Sequence, residues 1–320
     1  MKRGSSSTFA ALSLLFLLLT VFLAACGGDK KEAKAPQVDN GMDDALALLP
    51  GNAIALGTVD ARAFFGSKTF GSELAKLVEK YMPLGQEADF QASRDVDRVT
   101  WASYSYQGID AAAVIVGRFD EAKIKQAALQ KTPTQNGGVL VVSQYAGRDV
   151  YTVNNIGFTL LSNTKAVAGT ESGIRRVLER IKDNRVQRDI AKWMIDTIET
   201  PGAAAAVAGD FATQPIPAEA MRQIPVPFIQ SMKALRVLLT FKEPGVQVAG
   251  SLTYPDENGA GTASEHVKQA ANMSKWLALV GIKVQNIDVK TDKQDVQVKL
   301  EVDDQSLRQL LASAPQWLGQ

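Results

Sequence analysis

Cysteine and histidine are almost absent from this chain of 320 residues, which has one of each. The single cysteine, Cys26, excludes an intramolecular disulfide, and with the single histidine, His266, it excludes a zinc site of nitrogen and sulfur ligands. The sequence also lacks the HExxH, CxxC, GxSxG and Walker motifs. We therefore expect no catalytic residues, no metal and no cofactor, so that the composition favours a non-enzymatic protein.

An excess of charge of one sign is lacking as well. The chain carries 35 basic and 34 acidic side chains, for a net charge of +1. Such a balance gives no general attraction to nucleic acid. The apolar fraction of 46% and the charged fraction of 22% are typical of a globular protein.

Long apolar runs are missing everywhere except at the N-terminus. Two basic residues, Lys2 and Arg3, precede an apolar core over 9–23, and two alanines separate that core from Cys26. This is the order of a secretory signal peptide. The core has roughly 15 residues, fewer than the ~20 that a membrane-spanning helix needs.

The four residues Leu23-Ala24-Ala25-Cys26 resemble the lipobox of bacterial lipoproteins. The resemblance implies that residues 1–25 are removed by cleavage between Ala25 and Cys26, and that Cys26 carries acyl chains such as palmitate. Each buried methylene of such chains contributes ~0.8 kcal/mol, so that two or more chains anchor a protein stably. An uncleaved N-terminal helix with an incidental cysteine is the alternative.

Residues 26–40 form a polar segment that lacks the apolar side chains needed to offset the entropy of ordering. We expect a flexible tether reaching about 20 Å between the lipid and the body. Gly27 and Gly28 follow the cysteine, where enteric lipoproteins retained at the inner membrane have an acidic residue. By this resemblance the protein is expected at the outer membrane, facing the periplasm.

The body is predicted to be α+β with a mostly antiparallel sheet, because hairpins outnumber alternating strand–helix units. Its second part echoes its first: Pro50-Gly51 precedes a strand ending at Asp60, and Pro201-Gly202 precedes a strand ending at Asp210. We interpret 41–200 and 201–320 as two diverged copies of one unit; chance similarity is the alternative. The pairs Leu49-Pro50 and Val59-Asp60 resemble the opening segment of an uncharacterised family of secreted bacterial proteins.

Two individual elements have especially clear patterns. Four apolar residues alternate with polar ones over 296–302, which predicts a strand with one face in water. The spacing of apolar residues predicts a helix over 186–198.

A proline-rich segment, 213–232, is the first candidate for an interaction surface. Four prolines remove backbone donors and exclude a long helix or a central strand. Its apolar side chains either cover the second sheet or form a lip for a partner: Ile216, Met221, Ile224, Val226, Phe228 and Ile229.

Arginines concentrated over 175–188 are the second candidate. They either form a solvated helix face with acidic partners or bind an anionic partner such as a lipid headgroup. The residues are Arg175, Arg176, Arg180, Arg185 and Arg188. No aromatic residues interleave them, which argues against nucleic acid.

Three functions are therefore considered. The first is a non-enzymatic, membrane-anchored protein that binds or scaffolds an envelope protein. The second is a carrier of an apolar ligand such as a lipid. The third is a hydrolase that uses carboxylates alone, which would require two close carboxyl groups with raised pKa values. The acidic pairs Asp43-Asp44 and Asp303-Asp304 are explained more simply as helix caps.

Overall fold

A computed structural model of the chain describes residues 42–81, 88–106, 110–130, 139–153, 155–223, 226–277 and 283–317. Twelve strands in these ranges form one sheet. The strands are β1 (Ala55–Val59), β2 (Val96–Ser103), β3 (Ala111–Gly117), β4 (Val141–Tyr145), β5 (Arg148–Val153), β6 (Ile156–Ser162), β7 (Lys165–Thr170), β8 (Ala205–Asp210), β9 (Ala234–Lys242), β10 (Gly245–Thr253), β11 (Val284–Asp292) and β12 (Asp295–Asp303).

Helices pack on both faces of this sheet. They are α1 (Ala45–Leu48), α2 (Ala61–Phe65), α3 (Gly71–Tyr81), α4 (Ala92–Asp95), α5 (Glu121–Leu129), α6 (Glu171–Lys182), α7 (Lys192–Ile198), α8 (Ala218–Gln223), α9 (Glu257–Leu277) and α10 (Asp304–Trp317), with a short 3₁₀ helix at Pro227–Ile229.

The strand order is β11-β12-β10-β9-β8-β1-β2-β3-β7-β6-β5-β4, and every described pair is antiparallel. The α+β prediction is therefore confirmed. The two predicted units do not have separate sheets, however, because β1 pairs directly with β8.

The chain follows a similar path on both sides of this junction. Moving outward, the order is β1-β2-β3-β7-β6 on one side and β8-β9-β10-β12-β11 on the other. Helices follow β1, β3 and β7, and others follow β8, β10 and β12. The hairpin β4–β5 extends the first side beyond this shared path. The division into units at residue 200 stays a prediction.

Local chemistry is also similar where β1 and β8 end. The Asp60 carboxylate caps α2 by accepting from the Ala63 N–H at 2.9 Å. The Asp210 carboxylate accepts from the Thr213 N–H at 3.1 Å. Between these strands Gly57 lies opposite Val207, with the same spacing along the chain that separates Asp60 from Asp210.

The two faces of the sheet have different coverings. On one face, α1, α6 and α7 bury a core that includes Leu56, Val114 and Ile174. On the other face, α2, α3 and α10 cover one region, α5 covers a second, and α9 with the 3₁₀ helix covers a third. In β12, Val296 and Val302 are buried whereas Gln297 and Lys299 are exposed, which confirms the predicted alternation.

One helix prediction needs correction, and two short helices were not predicted. The helix expected over 186–198 begins only at Lys192, because Arg188 lies in a preceding loop and bonds to Asp44 and Glu199. The short helices α2 and α4 were not expected. Each has four or five residues, too few for the periodicity of apolar residues to be seen.

Candidate functional site

The proposed lipidation and cleavage sites, Ala25 and Cys26, lie outside the described residues. The start of the described chain is attached to the body at β7. The Lys165 ammonium donates to the Met42 carbonyl at 2.5 Å and lies 2.8 Å from the Asp43 carboxylate. Within the described ranges, no helix is long and apolar enough to cross a membrane.

The five candidate arginines are each paired with a carboxylate. The pairs are Arg175–Glu171, Arg176–Asp110, Arg180–Asp189, Arg185–Asp183, and Arg188 with both Asp44 and Glu199. Neutralised guanidinium groups attract an external anion less than free ones do. This arrangement favours the explanation in which the arginines serve the fold rather than an anionic partner.

Arg180 is the most buried of the five, with 7% of its side chain exposed. Its guanidinium donates to the Asp189 carboxylate at 2.8 Å, to the Gln187 carbonyl at 2.7 Å and to the Ala47 carbonyl at 3.2 Å. This hydrogen bonding keeps the pKa of Asp189 below its ordinary value. Arg180 therefore connects α6 to the loop that follows it and to α1.

Two neighbouring arginines lie over aromatic rings. The guanidinium carbon of Arg175 is 4.7 Å from the ring centroid of Tyr145, and that of Arg176 is 4.3 Å from the ring of Tyr104. Burial raises the pKa of Tyr104. Cation–π contacts of this kind stabilise the packing of α6 against the sheet.

The proline-rich segment folds as α8 and the 3₁₀ helix. Ile216, Phe228 and Ile229 pack against the core formed by α9 and the sheet. Met221 and Val226 are half-buried, and Ile224 lies outside the described residues. The packing favours the interpretation in which the segment covers this core.

Side-chain hydrogen bonds hold the same segment in place. The Tyr254 hydroxyl donates to the Phe228 carbonyl. The Tyr106 hydroxyl donates to the Gln214 carbonyl at 2.5 Å, and the Gln214 amide donates to the Asn52 carbonyl at 2.7 Å. Burial raises the pKa of Tyr106. These bonds tie the segment to the residues that follow β10 and β2 and to the loop before β1.

The acidic pairs act at helix ends, as expected. The Asp44 carboxylate accepts from the Leu46 N–H at 3.0 Å, and that of Asp303 accepts from the Ser306 N–H at 2.8 Å. In the described part of the chain, no group of three or more His, Cys, Asp or Glu residues is placed to hold a metal ion. Among the described residues, the carboxyl groups with clearly shifted pKa values all shift downward: Asp89, Asp95, Asp189 and Glu301.

A pocket of about 530 Å³ lies between α4, α5 and the end of β3. Its charged side chains form ion pairs with one another: Lys123–Asp89 at 2.7 Å and Arg94–Asp95 at 2.7 Å. Phe90 and Phe119 stack beside them. Since these charges are already paired, they leave little net charge to attract an ionic ligand.

One row of residues, directly paired from strand to strand, crosses the entire sheet on a single face. It contains no charged residue. From β4 to β11 it runs Val142, Tyr151, Phe158, Ala168, Ala113, Trp101, Gly57, Val207, Val237, Gly250, Val298 and Val289. Apart from Trp101, its middle members are small. Sequence reasoning missed this row because the pairings join distant parts of the chain.

Trp101 fills the space above Gly57. A Cβ on Gly57 would lie 2.4 Å from the Trp101 indole, so the ring rests directly on the glycine backbone. The indole nitrogen is buried and has no hydrogen-bond partner among the described residues. Beyond it, Val237 and Gly250 are half-buried. The centre of the row therefore combines small apolar groups with one unused donor.

Comparisons with known proteins show a likeness of fold alone. No protein-family model and no curated protein matches the sequence. The chain is similar to crystal structures of a protein named TP0453. Crystal form III matches with a TM-score of 0.53 and 10% identity over 85% of this chain and 98% of that chain. Crystal form I matches with a TM-score of 0.51 and 9% identity over 86% and 97%.

Proposed function

We propose that the protein is a lipid-anchored, non-enzymatic binding protein of the bacterial envelope. The observation that carries the proposal is the segment ending at Leu23-Ala24-Ala25-Cys26, in which all four lipobox positions fit. Removal of residues 1–25 would leave a lipidated Cys26 as the membrane attachment, on the outer membrane and facing the periplasm. With this lipid attached, the protein would need no membrane-spanning helix to stay at the membrane.

The attachment of Met42 to Lys165 defines how such an anchor would hold the body. Fifteen residues separate Cys26 from Met42. A flexible segment of that length spans about 20 Å and at full extension about 50 Å. The body would therefore stay close to the membrane surface while keeping rotational freedom, which suits a protein that meets its partner at that surface.

A binding role is favoured over hydrolysis by the state of the carboxyl groups. A carboxylate-dependent hydrolase needs one acid that stays protonated near neutral pH, and hence a raised pKa. The clearly shifted carboxyl groups of the described residues move in the opposite direction, because arginine and lysine side chains hydrogen-bond to them. No feature of the sequence favours the hydrolase independently.

An apolar ligand is the second candidate, favoured by the row across the sheet. Small residues such as Gly57 and Gly250 keep this part of the sheet face apolar, and the buried Trp101 indole nitrogen has no hydrogen-bond partner among the described residues. A lipid with an ester or carboxyl oxygen would satisfy both features. Lipid analysis of protein purified gently from membranes tests this candidate; a stoichiometric lipid would support it, and its absence would remove it.

Membrane fractionation of cells producing the parent, Cys26→Ser and Gly27→Ser proteins tests the primary proposal. The parent and Gly27→Ser should be processed and remain in the membrane fraction, because both keep the lipobox. Cys26→Ser should remain unprocessed at position 26 and incorporate no labelled palmitate. Equal processing and labelling of all three proteins would refute the lipid anchor.

A further inference from the structure

The two edges of the sheet differ in how they are protected against pairing with another strand. At one edge, β11 has a bulge between Gln285 and Asp288, a residue with positive φ at Asn286, and charged side chains at Asp288, Lys290 and Asp292. Bulges and charges are the devices that keep edge strands from associating. The β11 edge is therefore blocked.

The opposite edge, β4, has none of these devices. Its sequence is Val-Val-Ser-Gln-Tyr, without charge or proline, and its pairing with β5 is regular. Val139, Val141 and Val142 are 50%, 57% and 46% exposed, among the most exposed large apolar side chains of the described residues. An edge of this kind presents unpaired backbone groups together with apolar side chains.

We propose that β4 is a self-association site, at which β4 of a second copy adds antiparallel to form one continuous sheet. In the arrangement that we infer, Val142 lies opposite Val142 of the partner subunit. This register continues the apolar row from one copy into the next. It also covers Val139 and Val141, which lie on the other face of the strand.

Two observations favour a second copy of this chain as the partner of β4: the lack of charge on the strand, and a similar strand junction within the chain itself. Antiparallel pairing of identical strands brings like side chains near one another, so it tolerates charge poorly; β4 has none. Beside it, Asp149 is already paired with Lys125 and with the Gln144 amide. The chain makes a comparable antiparallel junction internally, where Gly57 of β1 faces Val207 of β8. A two-fold β4 pairing would also close, giving a dimer rather than a fibre.

Sedimentation equilibrium of the mature, lipidated chain in density-matched detergent tests the proposal. The parent should have the mass of a dimer, and Val142→Lys should raise the dimer Kd at least about tenfold, since two ammonium groups would face each other. Ile156→Lys is the matched control. Ile156 is similarly exposed at 52%, but it lies on β6. Both edges of β6 are already paired within the sheet, one with β5 and the other with β7. Ile156→Lys should therefore dimerise like the parent.

The register is tested separately by cross-linking with a short bis-maleimide. Cys26 is the only natural cysteine, and the proposed acylation leaves it without a thiol. Val142→Cys should cross-link between copies, whereas Ile156→Cys should not. A parent that is monomeric up to about 100 µM, well above the micromolar range of ordinary specific pairs, would overturn the proposal, as would a Val142→Lys protein that dimerises like the parent. Binding of a foreign uncharged peptide to a monomeric parent would identify a different occupant and overturn self-association.

Discussion

Replacement of Arg180 by methionine should destabilise the body markedly. Methionine keeps an unbranched apolar stem of similar reach, so the change removes the hydrogen bonds to Asp189, Gln187 and Ala47 rather than the packing. Each hydrogen bond to a charged group contributes ~1.5–3 kcal/mol to stability, and the variant loses these bonds. The variant also no longer has to bury a charged guanidinium, which offsets several kcal/mol of that loss. The net loss should be about 3 kcal/mol, or roughly 6–12 °C in Tm.

Arg185→Met provides the control. Arg185 is 57% exposed and has one ion pair, with Asp183. Exposed pairs of this kind contribute about 0–1 kcal/mol. Thermal unfolding followed by circular dichroism should therefore separate the two variants clearly. If Arg180→Met had the same Tm as the parent, the conclusion that the hydrogen bonds of Arg180 stabilise the fold would be wrong.

The same pair predicts a pH dependence. Arg180 lowers the pKa of Asp189 in the folded protein below the ordinary value of 3.8. The stabilisation is therefore fully present above that value and is lost as the pH falls through the folded pKa. The difference in unfolding free energy between parent and Arg180→Met should shrink below about pH 4. If the difference in unfolding free energy between the two proteins stayed the same in acid, the proposed link between Arg180 and the Asp189 pKa would be wrong.

Three further substitutions test other parts of the account. Gly57→Ala should cost roughly 1–3 kcal/mol, because the new methyl group overlaps the Trp101 indole; denaturant titration with tryptophan fluorescence should show both the loss and an altered native emission. Asp210→Ala should cost about 2 kcal/mol, since two backbone N–H groups and a threonine hydroxyl lose their acceptor; an unchanged unfolding midpoint would contradict this. Tyr254→Phe should lose about 1 kcal/mol with the hydrogen bond to the Phe228 carbonyl, and limited proteolysis should then cleave 213–232 faster than in the parent.

Local patterns in the sequence predict much of the secondary structure correctly. The alternation over 296–302 identifies β12. This feature depends on neighbouring residues, so the sequence displays it directly. The helix expected from residue 186 fails because Arg188 is held by Asp44, a residue remote in the sequence.

The single sheet and the candidate sites were harder to predict because they depend on long-range pairing. Nothing local to 55–59 indicates that it pairs with 205–209. The sequence left open whether the arginines over 175–188 pair with acidic side chains or bind an anionic partner. The fold supplies Asp110 and Asp44 as partners from distant segments. The unprotected edge at β4 becomes visible only when the order of all twelve strands is known.

Mass spectrometry of the N-terminal peptide of protein extracted from membranes tests the central claim most directly. The mature chain should begin at Cys26, and its mass should include a diacylglycerol on the sulfur. A mature chain that begins elsewhere, or a Cys26 thiol that reacts freely with maleimide, would contradict it.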